Sequence, residues 1–187
     1  SYRRLVIREF GGPEVLELVD EEVPPEPAKG EVRVRVSMTS ASFTDIMIRK
    51  GRYPELKQKP PFSPGYDMIG VVDEVGEGVA RFRIGDRVVG LLVVGACSEY
   101  LCVTADDLIP VPEGLDTAEA VSLVLSYVTA YQLIHRVAGL KRGQRALIHG
   151  AGGAVGTALI QLGRLLDLEM YGTASQGKQE LVAEQGA

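Results

Sequence analysis

Hydrophobic and polar positions alternate along the first third of the chain. Within Glu31–Met38, Val32, Val34 and Val36 are separated by charged residues, a period of two that predicts a strand with one wet face. Tyr2–Phe10 and Val15–Asp20 read as two further strands, and the stretch "EEVPPEPAKGE" that follows them reads as a proline-rich turn inside one domain. Beyond Asp67–Gly70 come "VVDEVGEGV", "RIGDRVVG" and "CSEYLCV", short strand-like pieces punctuated by glycine. This half predicts an all-β subdomain, barrel-like in the spacing of its turns.

The period lengthens after "IPVPEGL" (Ile109–Leu115), where two prolines and a glycine end the strands. The next segment, from Asp116 to Leu140, carries apolar residues at helical spacing, and Asp116 with Glu119 has the form of a capping box. A strand over Arg145–His149, a helix over Val155–Leu166, a strand over Leu168–Thr173 and a helix over Lys178–Gln185 then predict the opening of a parallel α/β unit. The expected division is therefore residues 1–115 and 116–187. Two parallel strands do not complete a doubly wound sheet, whose two faces must both be covered, so the chain is expected to belong to a longer protein.

The turn between Arg145–His149 and the next helix reads "GAGGAVG", with Ala151-x-Gly153-x-x-Gly156 as a variant of the G-x-G-x-x-G fingerprint. Gly153 would let the backbone approach a pyrophosphate, Gly156 would let the helix pack closely on the strand, and the helix N-terminus would face the negative charge. Ala151, Gly152, Gly153, Ala154, Val155 and Gly156 are thus candidate cofactor-binding residues. A site for NAD would present an acid at the end of the following strand, about 20 residues on. That end reads "YGTASQGK"; Asp167 and Glu169 fall before or inside the strand, and the positions past it hold Thr173, Ser175 and Lys178. A hydroxyl and a cation in place of the acid point to NADPH. His149 reads as a structural histidine at a strand end.

Composition narrows the remaining possibilities. The chain has 187 residues, 45% of them hydrophobic, which is enough for a globular core. Twenty basic and 25 acidic residues leave a net charge of −5, which supplies no broad attraction for nucleic acid or anionic lipid. The longest apolar run, Leu91–Cys97, is far short of the roughly 20 residues needed to cross a bilayer, and no leader pattern precedes the first strand, so neither membrane insertion nor secretion is expected. Cys97 and Cys102 match no zinc-ligand spacing and read as reduced residues of a cytoplasmic protein.

Six motifs in order, "TDIMIRKGRY" (Thr44–Tyr53), "PGYDMIGVVDEVGEGV" (Pro64–Val79), "GDRV" (Gly85–Val88), "SYVTAY" (Ser126–Tyr131), "GAGGAVG" (Gly150–Gly156) and "GTASQGK" (Gly172–Lys178), span nearly the whole chain. In them the chain resembles the medium-chain dehydrogenase/reductase superfamily, and within it the zinc-independent quinone oxidoreductase branch that includes zeta-crystallin-like and vesicle amine transport protein-like members. The resemblance implies an α/β plus β fold: a GroES-like β-barrel catalytic domain followed by a Rossmann nucleotide-binding domain, incomplete in this chain. Zinc-dependent members place cysteine, histidine and glutamate where this chain has Ser42, Tyr66 and Asp67, a poor set for a catalytic zinc.

Without a metal, the resemblance implies hydride transfer from NADPH to a quinone, an enone or an enal. It gives three residues catalytic positions. Thr129 would hold the nicotinamide carboxamide, Tyr53 would lie near the nicotinamide as a proton donor, and Ser42 stands where quinone reductases often carry asparagine. It also implies a homodimer. Two alternatives accompany it: an NADPH-binding regulatory or trafficking protein with little turnover, and an enoyl reductase module of a larger synthase.

Overall fold

Along Glu31–Met38 the alternation is realised, with Val32 and Val34 fully buried and Arg35 exposed between Val34 and Val36. The computed structural model describes every residue, Ser1–Ala187, and divides into two compact units, Ser1–Val124 and Leu125–Ala187.

In the first unit, β1 (Tyr2–Ile7) pairs antiparallel with β2 (Leu16–Glu21). β1 is shorter than its apolar pattern predicts because Ile7 exchanges both backbone hydrogen bonds with Phe62, at 2.8 and 3.2 Å, and the chain then turns through a single helical turn opened by Pro13. β3 (Glu31–Met38) is followed by α1 (Phe43–Arg49), β4 (Asp67–Val75), β5 (Arg87–Leu91), β6 (Tyr100–Thr104) and β7 (Leu108–Pro110). The five strands form an antiparallel sheet in the order β6-β3-β4-β5-β7. Val32, Val34, Met68, Val72, Val88 and Leu108, all fully buried, fill its core.

α2 (Thr117–Gln132) begins in this unit, where Ala120 and Val121 pack with Ile69. Its cap is made by Asp116 alone: the carboxylate accepts from Ala118 N at 2.8 Å and Glu119 N at 3.1 Å, without the return bond that the expected box needed.

The second unit contains the rest of α2, then β8 (Arg145–His149), α3 (Ala154–Leu165), β9 (Glu169–Thr173) and α4 (Gln179–Gln185). β8 and β9 pair in parallel, so this is a partial Rossmann-like sheet and the chain is of mixed α/β and β class. Ile148, Ala151, Ile160 and Val182 bury one side of it, whereas Leu147 and Tyr171 on the other side are 62% and 48% exposed. No helix of the chain is long and apolar enough to cross a membrane.

Candidate functional site

In the second unit, the turn between β8 and α3 is held from below by the end of β9. Ala151 N donates to Thr173 O at 2.9 Å, and Gly150 N donates to the Thr173 hydroxyl at 3.3 Å. The His149 ring also meets that hydroxyl, Nδ1 to Oγ1 at 3.2 Å. Thr173, at the carboxyl end of β9, is thereby tied to the loop that it follows in space.

Gly153 is the N-cap of α3, and Thr157 N is the first amide to find an acceptor there, Gly153 O at 2.8 Å. The amides of Ala154, Val155 and Gly156 ahead of it are the donors a helix leaves without intrahelical partners, and they carry the positive end of the helix dipole. A Cβ on Gly156 would lie 2.5 Å from Gly150 O and 2.6 Å from the Ala151 Cα, so only glycine lets α3 start this close to the loop backbone.

Lys178 reaches back over the same loop. Its ammonium donates to Gly152 O at 2.9 Å, and a Cβ on Gly152 would meet the Lys178 Cδ at 2.8 Å. Ser175, exposed, opens the turn that carries Lys178, and its carbonyl accepts from Lys178 N at 2.8 Å. One helix N-terminus, two hydroxyl residues, Thr173 and Ser175, and one ammonium group therefore gather at the loop, a donor set suited to a polyanion. Thr129 lies elsewhere in this unit, on α2, where its half-buried hydroxyl donates to Leu125 O at 2.7 Å.

The first unit holds Ser42 and Tyr53. Ser42 caps α1 with a reciprocal box: its hydroxyl accepts from Asp45 N at 3.4 Å, and its backbone N donates to the Asp45 carboxylate at 2.8 Å. The Ser42 hydroxyl also lies 2.7 Å from that carboxylate. Ser42 and Asp45 line a cavity of about 560 Å³ together with Thr39, Ser40, Pro64 and Cys97.

Tyr53, in the loop after α1, meets the buried Tyr66 hydroxyl to hydroxyl at 2.6 Å, with the rings edge to face at 5.7 Å. Its own hydroxyl reaches Glu55 at 3.4 Å. Burial first, then the Tyr53 hydrogen bond and the nearby Glu55 and Asp45 charges, hold the Tyr66 phenol well above the usual tyrosine value. Asp67, 1% exposed, accepts from Ser40 N at 2.9 Å and from the Ser40 hydroxyl at 2.8 Å, one bond to each carboxylate oxygen. Burial raises its pKa above the usual carboxylate value in spite of those bonds. Cys97 and Cys102 are free thiols, each pushed by burial to about 11.

Two partners escaped the sequence reading, Tyr66 for Tyr53 and Ser40 for Asp67. Tyr53 and Tyr66 stand 13 positions apart towards the two ends of the connection between α1 and β4, Ser40 and Asp67 stand 27 apart on either side of α1, and only the fold brings each pair together. Capping by Ser42 did have a local signal, since Ser42-x-x-Asp45 has the form of a capping box.

A model of the alcohol dehydrogenase GroES-like domain matches residues 28–113. The quinone oxidoreductase of Rattus norvegicus is 36% identical over 187 residues, covering 99% of this chain and 56% of that protein. The crystal structure of a human synaptic vesicle membrane protein VAT-1 homolog-like protein superposes with a TM-score of 0.93 at 33% identity, covering 100% of this chain and 60% of that one. A mycobacterial protein solved in complex with NADPH superposes with a TM-score of 0.90 at 32% identity, covering 100% of this chain and 57% of that one. The chain spans about half the length of the curated relatives it matches.

Proposed function

We propose that this chain, which belongs to the medium-chain dehydrogenase/reductase superfamily, carries the cofactor loop and the proton donor of an NADPH-dependent oxidoreductase that reduces a quinone or an α,β-unsaturated carbonyl without zinc. The observation that carries this reading is Lys178 lying over Gly152 at 2.9 Å, beside a β9 whose carboxyl end offers Thr173 and Ser175 and no acid. A ribose 2′-hydroxyl asks for a carboxylate at that place, and a 2′-phosphate asks for donors and positive charge.

In this reading the amides of Ala154, Val155 and Gly156 hold the pyrophosphate, Ser175 and Lys178 hold the 2′-phosphate, and Thr129 takes the carboxamide. Bound NADPH supplies the hydride. Tyr53 gives a hydrogen bond, or its proton, to the acceptor as that acceptor becomes negative. The groups at the positions of a catalytic zinc favour the same chemistry: the Tyr66 hydroxyl is bonded to Tyr53, both oxygens of Asp67 are bonded to Ser40, and Ser42 is engaged with Asp45. A second reading, a cofactor-binding protein of vesicle traffic with little turnover, is favoured by the likeness to the human synaptic vesicle membrane protein homolog.

Two measurements on the complete protein test this. NADPH should bind about tenfold or more tightly than NADH, equivalent to about 1.4 kcal/mol, and Lys178→Ala should reduce that preference. Equal affinities for the two cofactors would refute the assignment of Lys178. Steady-state oxidation of NADPH with simple quinones and enals then separates the readings, since the second predicts tight binding without turnover.

A further inference from the structure

We propose that Tyr66 is a positioning residue for the Tyr53 proton donor: its buried hydroxyl donates a hydrogen bond to the Tyr53 oxygen, aims that phenol, and stabilises the phenolate left when Tyr53 gives up its proton. The inference rests on the reading of Tyr53 above and adds a residue to which neither motif nor metal position gave a role.

The Tyr66 backbone is fixed from both sides. Its carbonyl accepts from Leu92 N at 2.7 Å and Val93 N at 3.2 Å, and the preceding Pro64 carbonyl accepts from Cys97 N at 2.8 Å. Gly65 between them has φ +106°, and a Cβ there would lie 2.4 Å from Cys97 N, so the chain passes this point in one conformation. The ring is 6% exposed, and a buried hydroxyl needs a partner; Tyr53 is the partner it has. Tyr53, by contrast, is half-buried on a loop. A fixed donor thus holds a less constrained one.

The direction of the bond follows from the third group. In the proposed arrangement the Tyr53 proton turns outward, to the side where the Glu55 carboxylate lies 3.4 Å away and can only accept, and Tyr53 presents a lone pair to Tyr66 until an acceptor takes that proton. Tyr66 therefore donates, and Tyr53 keeps the proton that leaves. Burial and the Asp45 and Glu55 charges facing it keep the Tyr66 phenol protonated throughout the working range, so it remains a donor while Tyr53 cycles.

The step balances simply. After a hydride has added to the β-carbon of an enal, the Tyr53 O–H bond breaks, a C–H bond forms at the α-carbon of the enolate, and the electron pair stays on the Tyr53 oxygen. That oxygen accepts from Tyr66 until water returns the proton. A quinone, whose reduced oxygens take protons from water directly, depends much less on this step.

The test uses the complete protein and the variants Tyr66→Phe and Tyr53→Phe, with tyrosine carbon-13 labelled at Cζ. Tyr66→Phe keeps the ring and removes the donor. The ratio of enal to quinone kcat should then fall about tenfold with little change in KM, and the Tyr53 Cζ resonance should move as the bond from Tyr66 is lost. An unchanged enal-to-quinone ratio in a variant with native near-ultraviolet circular dichroism overturns the proposal. If Tyr66→Phe does not fold, Tyr66→His, which retains a donor, should restore folding and part of the ratio, and failure to restore the ratio in a folded Tyr66→His protein also overturns it. The underlying reading fails separately: Tyr53→Phe that reduces the enal at the normal rate removes Tyr53 as proton donor, and Tyr66 with it as a positioning residue for that step.

Discussion

Asp67 shows what a single side chain costs when the fold buries it. The carboxylate is bonded to Ser40 twice, yet burial outweighs those bonds and raises its pKa. A raised folded-state pKa means that its contribution to stability is full below the unfolded value, near 4, and is lost as pH rises through the folded value. Asp67→Asn keeps the shape and both Ser40 bonds, with the serine hydroxyl now accepting, and removes the charge. The urea midpoint of the variant should gain on that of the parent between about pH 3 and about pH 7; parallel curves across that range would show that ionised Asp67 carries no such cost. At this scale the sequence was readable for residue type and mostly silent about partners. Through the family resemblance Ser42, Tyr66 and Asp67 could be lined up as poor zinc ligands, and the Asp45 partner of Ser42, three residues on, had a local signal, whereas the partners of Tyr66 and Asp67, 13 and 27 positions away, are brought to them only by the fold. Free Cys97 and Cys102 follow the same rule: both are raised to about 11, so both should react slowly with disulfide reagents near pH 8.

At the scale of elements, periodicity found the long ones and local chemistry found their ends. β3 and β8 fall on the residues their patterns predict, and α3 begins one residue before its expected start, because Gly153 is a good cap and Ala154 a good helix former. α1 was not foreseen: seven residues are too few to show a period, and the helix is held by the packing of fully buried Ile48 together with its cap. Ser42→Ala should therefore destabilise the first unit by about 1 kcal/mol, whereas Ser42→Asn should lose little. Chemical denaturation checks this, and equal midpoints for the alanine and parent proteins would mean that the box does not hold the helix. The start of α3 makes a sharper contrast. A Cβ at Gly156 meets backbone at 2.5 Å, and one at Gly153 meets Gly150 O at 3.3 Å with an extended φ of −94°. Gly156→Ala should thus cost about 1–3 kcal/mol and weaken NADPH binding, while Gly153→Ala should cost less, up to about 1 kcal/mol from the poorer cap and the tight approach to Gly150 O. Similar thermal shifts for the two variants would contradict the close approach assigned to Gly156.

At the scale of the whole molecule, the charge distribution decides how an anionic cofactor can be attracted at all. This chain carries −5, which supplies no attractive long-range field of its own, so in the proposed site a preference for the phosphorylated cofactor would rest on groups within a few ångströms of the 2′-phosphate. Near β8 and β9 the arginines are already engaged, Arg142 with Asp167 and Arg145 with Glu169 at 2.7 Å. Lys178 forms no ion pair; its ammonium is bonded to a neutral carbonyl and exposed to solvent. An exposed charge is screened over a Debye length of about 8 Å at physiological salt and about 3 Å at 1 M. The ratio of NADPH to NADH affinity should accordingly fall as ionic strength rises from about 0.02 to about 0.5 M, and in Lys178→Ala it should be low and nearly flat across that range. NADH itself, which differs only by the missing 2′-phosphate, serves as the control for salt effects at the α3 amides. A preference that survives high salt unchanged in the parent protein would transfer the discrimination from the Lys178 charge to hydrogen bonds such as those available from Ser175, because short hydrogen bonds to a phosphate are screened far less than an exposed ammonium acting at a distance.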